Sequence, residues 1–175
     1  IISVSTNNER EKLCDKLNLS KNINIKKNND WFFKKFVYDY QLYHKFIKNS
    51  DIKLLLKNHN DYMNYIKDSS FQLCLRGRGD NTIRIFESLK LGIVPVIDFD
   101  LKIKSINFDL NNYVIKLNFN DLINYININN DITNFEVNNI NFLEKVKQLK
   151  KKIKNDYKLI RKDSLYKNYI EDIIF

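Results

Sequence analysis

Apolar residues in this chain fall into short unbroken runs, separated by stretches in which they recur every three or four positions. The first run, Ile1-Ile2-Ser3-Val4-Ser5, is apolar and β-branched, as a buried strand requires. Thr6-Asn7-Asn8-Glu9-Arg10 reads as a helix start, because Asn or Thr caps orphan N–H groups and Glu9 suits the first turn. Leu13, Cys14 and Leu17 give that helix one apolar face, and strand then helix is the first half of a βαβ unit. Lys21 to Asp30 is loop-like around a short strand at Ile23-Asn24-Ile25. Trp31 to Ile47 is rich in Phe and Tyr without a clean period, and is read as connecting or helical structure packed on a sheet. Lys53 to Leu56 reads as a short strand or a turn of helix, and Asp61 to Lys67 as a helix with Tyr62, Tyr65 and Ile66 on one side.

From Phe71 the alternation sharpens. Phe71-Gln72-Leu73-Cys74-Leu75 predicts a strand, Arg76 to Asp80 a loop, and Thr82 to Leu91 a helix that stops at Gly92. Ile93-Val94-Pro95-Val96-Ile97 and Tyr113-Val114-Ile115-Lys116-Leu117 predict two further strands, and Phe119 to Ile128 a further helix. Strands alternating with helices predict an α/β fold, a parallel sheet flanked by helices on both faces. The C-terminal third is expected to be helical. Leu143, Val146, Leu149, Ile153, Tyr157 and Ile160 recur at helical spacing opposite a lysine face that includes Lys150 to Lys154, and Ser164 to Ile174 reads as a last helix. No repeat and no Pro- or Gly-rich linker divides residues 1–175, so one domain is expected.

Composition supports a packed core and excludes little else. The 175 residues are 43% hydrophobic and 13% aromatic, enough for one domain with a buried interior. No run approaches the roughly eighteen apolar residues of a membrane span. The chain opens on Ile rather than Met, so it is expected to be part of something longer. The formal charge of +9 suits an anionic ligand. Nucleic acid is not the expected partner, because the lysines are scattered and Asn, Lys and Ile, all with AT-rich codons, dominate throughout. Cys14 and Cys74 form neither a disulfide framework nor a ligand set, and His44 and His59 stand alone, so no metal is expected.

The chain has three glycines and one proline, and Gly77, Gly79, Gly92 and Pro95 all fall between Phe71 and Ile97. Elsewhere it turns on Asn and Asp, so glycine is expected only where a side chain is not tolerated. Arg76-Gly77-Arg78-Gly79-Asp80 lies between a strand's carboxyl end and a helix's amino end, the edge at which open α/β sheets bind ligands. Two glycines let backbone N–H groups approach an anion, and Arg76, Arg78 and Arg84 add charge-assisted donors suited to a diphosphate. Glu87, three residues after Arg84, repels phosphate but accepts from a neutral diol such as ribose. The plainer alternatives are a tight turn with solvent-facing arginines, and an Arg84–Glu87 surface pair worth a few tenths of a kcal/mol.

The segment Ser70-Phe71-Gln72-Leu73-Cys74-Leu75-Arg76-Gly77-Arg78-Gly79-Asp80, followed by Arg84-Ile85-Phe86-Glu87-Ser88-Leu89 and Gly92-Ile93-Val94-Pro95-Val96-Ile97, resembles the exostosin-like glycosyltransferase family. That family's pattern is S-x-F-C-L-x-P-R-G, then R-x-F-E-A and G-C-I-P-V. Here Leu75 replaces the proline before Arg-Gly, Arg78 and Asn81 occupy loop positions more often held by other residues, and Ile93 stands where the family often has Cys. The resemblance implies the Rossmann-like C-terminal half of a GT-B enzyme, an inverting transferase that moves sugar from a nucleotide diphosphate, usually UDP, to a glycan or glycoprotein acceptor. No cofactor or bound metal is implied. Carried over, Arg76 and Arg84 meet the diphosphate, Glu87 the ribose hydroxyls, and the backbone of Gly77, Arg78, Gly79 and Asp80 shapes the donor pocket. The catalytic base is expected in the other GT-B domain. The compartment stays open: Golgi or ER membrane association if the chain follows eukaryotic exostosins, cytoplasmic if it is viral or bacterial-like. Two other classes stay open beside this one, a non-catalytic scaffold that keeps the fold and a basic nucleic-acid binder.

Overall fold

The structure of the protein, a computed structural model, describes residues 2–4, 15, 25–27, 49–75, 84–101 and 108–162. The expected structure over Thr6 to Leu17 (Asp15, which is helical, excepted), Trp31 to Ile47, Arg76 to Asp80 and Ser164 to Ile174 lies outside them. Strand β1 (Ile2–Val4) forms as expected and pairs in parallel with β2 (Ile25–Lys27), which starts where the expected Ile23–Ile25 strand ends. Helix α1 (Asn49–Ile66) is continuous, so Lys53 to Leu56 is helical and not a strand.

The centre of the fold is a parallel sheet of three strands, β3 (Phe71–Leu73), β4 (Val94–Ile97) and β5 (Ile115–Lys116), in the order β3-β4-β5. Helix α2 (Arg84–Lys90) connects β3 to β4. All of β4 is buried, as the middle strand of a sheet covered on both sides must be. Pro95 sits in this central strand without breaking the ladder. Val94 N–H bonds to the Ser70 carbonyl on the β3 side, so the missing donor of Pro95 faces the β5 side, where pairing begins only at Val96 with Ile115.

Alternation along β3 sends successive side chains to opposite faces. Phe71 meets Phe142 edge to face, with ring centroids 5.0 Å apart, on one face. Gln72 bonds to Tyr62 of α1 and Ser88 of α2 on the other. Helices therefore flank both faces. This is an α/β architecture with a parallel sheet, compatible with a Rossmann-like fold.

Helix α2 ends in a left-handed turn at Gly92, φ +69°, with Gly92 N–H bonded to the Leu89 carbonyl and Ile93 N–H to that of Ser88. A Cβ at Gly92 would meet nothing within 4 Å, so its backbone angle, at the helix stop expected there, is what selects glycine.

Past β4, Leu110–Tyr113 is a 3-10 turn capped by Asp109, so Tyr113 precedes the strand that was expected to include it. Helix α3 (Phe119–Asn129) follows, capped by Asn118 and closed by Asn130 at φ 56°. The remainder is not helical throughout. Strands β6 (Glu136–Val137) and β7 (Ile140–Asn141) form an antiparallel hairpin around Asn138 and Asn139, both at positive φ, the type I′ geometry that suits the twist of a hairpin. The long helix is also interrupted. It runs as α4 (Phe142–Asn155) and α5 (Tyr157–Lys162), with Asp156 between them. Phe142, Val146, Ile153 and Ile160 are buried in the main core while the lysines between them are mostly exposed, as their spacing requires.

Candidate functional site

Helix α2 runs back from the carboxyl end of β3, so its first residue, Arg84, lies a turn, about 5 Å, nearer the carboxyl edge than Ser88, which faces β3. Every residue from Ile85 to Leu89 is buried, because α2 is held between the sheet, α1 and α5. Arg84 and Glu87, three apart, share one side of this helix, and Arg84 Nη1 donates to Glu87 Oε2 at 2.6 Å. The side chains are 23% and 7% exposed, so this is not the solvated surface pair of the plainer reading.

Tyr62 of α1 completes the arrangement. The Arg84 guanidinium carbon stands 4.1 Å from the centroid of the Tyr62 ring, within cation–π range. The Tyr62 hydroxyl accepts from Gln72 Nε2 at 2.6 Å, and Gln72 Oε1 accepts from the Ser88 hydroxyl at 2.5 Å. Ser88 Oγ also lies 2.7 Å from the Arg84 carbonyl and 3.8 Å from Cys74 Sγ. Gln72 and Ser88 have no solvent exposure, and a buried amide or hydroxyl is tolerable only when bonded in this way.

The ionisation preferences follow from burial and from the ion pair. Burial pushes the Tyr62 hydroxyl well above its ordinary value; the Arg84 cation opposes this and Glu87 adds to it. Burial also pushes the Cys74 thiol up to about 12, against the bond with Ser88. Arg84 loses hydration, which disfavours its cation, but the Glu87 carboxylate and Tyr62 outweigh that loss and hold its pKa above the usual value. The result is a permanent cation with a carboxylate beside it at the sheet's carboxyl edge. Such a pair can receive an anion at the guanidinium and a hydroxyl at the carboxylate.

Of the expected site residues, Arg84 and Glu87 are brought together, while Arg76, Gly77, Arg78, Gly79 and Asp80 lie outside the described residues. Cys74 is buried and free, as expected of it, and Cys14 lies outside the described residues. Among the described residues no cluster of His, Cys, Asp and Glu is placed to hold a metal ion, and no helix is long and apolar enough to cross a membrane. Tyr62, Gln72 and Ser88 were not singled out from the sequence. The one available signal was Gln72 itself, a polar residue inside an otherwise apolar strand. Comparison of the chain with family models, curated proteins and solved structures finds no match in any of the three.

Proposed function

We propose that this chain is the donor-binding domain of an exostosin-like, inverting glycosyltransferase, holding a nucleotide-diphosphate sugar, UDP-linked, at the carboxyl edge of the β3-β4-β5 sheet. The observation that carries this reading is the Arg84–Glu87 pair, fixed at 2.6 Å on the first turns of the helix that follows β3. Its support is the sequence resemblance over Ser70 to Ile97 together with the α/β parallel sheet. In this reading Arg84 and Arg76 meet the diphosphate, Glu87 accepts from the ribose diol, and the Gly77–Asp80 backbone shapes the pocket. A GT-B partner domain upstream supplies the acceptor site and the base.

The chemistry follows from the bond that breaks. Cleavage of the sugar–phosphate bond develops positive charge on the sugar and negative charge on the departing diphosphate. Arginines already held at that position stabilise the transition state more than the ground state, because their charge meets a charge that grows. The acceptor hydroxyl must lose a proton to a base as it attacks. With that base on another domain, the chain alone binds donor and transfers poorly.

Calorimetric titration with UDP tests the reading. Binding is expected, with Arg84→Ala weaker by about tenfold or more, since a charged hydrogen bond contributes about 1.5–3 kcal/mol, and with the affinity lost in Glu87→Ala larger for UDP than for its 2′,3′-dideoxy analogue. A folded chain with no affinity for any nucleoside diphosphate sinks the reading and leaves a scaffold role. Salt-sensitive oligonucleotide binding that UDP does not displace points instead to a nucleic-acid binder.

A further inference from the structure

The Arg84 guanidinium has two partners at once in this structure. Glu87 draws it toward the helix through an ion pair, while the Tyr62 ring holds it by its face. The Tyr62 ring, 4.1 Å from the guanidinium carbon, and the Glu87 carboxylate, at 2.6 Å, together fix where the guanidinium stands. How firmly Arg84 is held then depends on how firmly Tyr62 is placed.

Tyr62 is placed by a buried chain of polar contacts. The Ser88 hydroxyl reaches Gln72 Oε1, Gln72 Nε2 donates to the Tyr62 hydroxyl, and the Tyr62 ring meets Arg84. Ser88 Oγ lies 2.7 Å from the carbonyl of Arg84, four residues earlier on the same helix, so the contacts close into a loop through α1, β3 and α2. A fully buried glutamine in the middle of a parallel strand packs no better than an aliphatic residue and demands partners for both ends of its amide. Its bonding on both ends to groups that lead to Arg84 gives this costly residue a role that packing alone does not supply.

We propose that Tyr62 is a positioning residue for Arg84, and that the Ser88–Gln72–Tyr62 chain, together with Glu87, holds the Arg84 guanidinium in the orientation in which it meets a diphosphate. The proposal rests on the reading of Arg84 as a diphosphate ligand. Tyr62 touches Arg84 and acts on the nucleotide through it.

The test is a titration of the chain with UDP and with UMP. Tyr62→Leu removes the ring face and is expected to weaken UDP about three- to thirty-fold, the range of cation–π contributions, and to lower the UDP-to-UMP affinity ratio. In an Arg84→Ala background the same substitution is expected to change nothing further. Tyr62→Phe keeps the ring but loses the hydroxyl that Gln72 holds, so its UDP affinity is expected to fall between that of the unaltered chain and that of Tyr62→Leu, and an affinity equal to that of the unaltered chain would remove the Ser88–Gln72 link from the proposal. Fluorinated phenylalanines at position 62 keep the packing and progressively weaken the ring's attraction for a cation. UDP affinity is expected to fall stepwise along that series with the melting temperature unchanged, which decides the matter if Tyr62→Leu lowers stability. A flat response along the series, or a Tyr62→Leu effect that persists in full without Arg84, overturns the proposal while UDP binding by the unaltered chain leaves the donor-site reading standing. Absence of UDP binding by the unaltered chain overturns both.

Discussion

Asparagine does much of the backbone work here that glycine does elsewhere. Asn130, Asn138 and Asn139 hold positive φ, and Asn118 and Asn141 cap helices, because a short side chain with a carbonyl can bond locally and tolerates the left-handed region. Gly92 occupies the same region at φ +69° with open space around its missing Cβ. Gly92→Ala is therefore expected to destabilise the chain by about 1–2 kcal/mol from backbone strain, and Gly92→Asn by clearly less, measured as a shift in urea midpoint at constant slope. Equal losses for the two would mean that a side chain there is obstructed. The same scale shows what was legible of the site. Arg84 and Glu87 were readable because helical spacing puts residues three apart together. Tyr62 and Gln72 were not, because ten residues and a change of element separate them, and only folding brings that hydroxyl and amide to 2.6 Å.

Element types were legible where a period persisted. The strands at Phe71 and Val94 and the helices at Arg84 and Phe119 lie where the pattern of apolar residues puts them. The pattern missed two features of the C-terminal third. The β6–β7 hairpin has strands of two residues each, too short to display a period, and its signal was the Asn138-Asn139 turn alone. The break at Asp156 is invisible because burial at Val146, Ile153 and Ile160 keeps one helical stripe across it. Asp156 ends α4 through its N–H to the Lys152 carbonyl, starts α5 by accepting from Leu159 and Ile160, and takes a bond from the Tyr113 hydroxyl at 2.9 Å. At the other end of α4, Asn141 caps Glu144 N–H and donates from Nδ2 to the Thr133 carbonyl, tying helix, hairpin and preceding turn together. Asn141→Ala is expected to cost about 1–2 kcal/mol in thermal or urea unfolding, and Asn141→Asp less, since aspartate keeps the cap and adds charge at the helix start.

Across the molecule, buried hydroxyl and thiol groups set the behaviour at high pH. Cys74 is pushed to about 12 by burial, and Tyr113 to about 12 by burial first and its bond to Asp156 second. Tyr62 is raised as well. Each group holds its proton more tightly folded than unfolded, so above its ordinary pKa the unfolded chain binds fewer protons and stability falls. The contribution is complete below about pH 8.5 and is lost progressively up to about pH 12. Unfolding followed by circular dichroism is expected to move to lower urea across that window, and Cys74 to resist alkylation at pH 8 in a Cys14→Ser background until urea opens the fold. A stability that stays flat to pH 12 would count against the burial of these groups.

The sequence by itself determined what depends on near neighbours along the chain. It placed an apolar strand on either side of a helix that carries Arg84 and Glu87 on one side, and it located the helix stop at Gly92, where glycine relieves backbone strain. The tertiary structure decided that Gln72 and Ser88 are sealed from water, that α1 brings Tyr62 under the Arg84 guanidinium, and that the Arg84–Glu87 pair is buried rather than solvated. The physical reason is one of range. Spacing and propensity act over a few residues, whereas hydration and the strength of a charge pair depend on which distant segments fill the space around it.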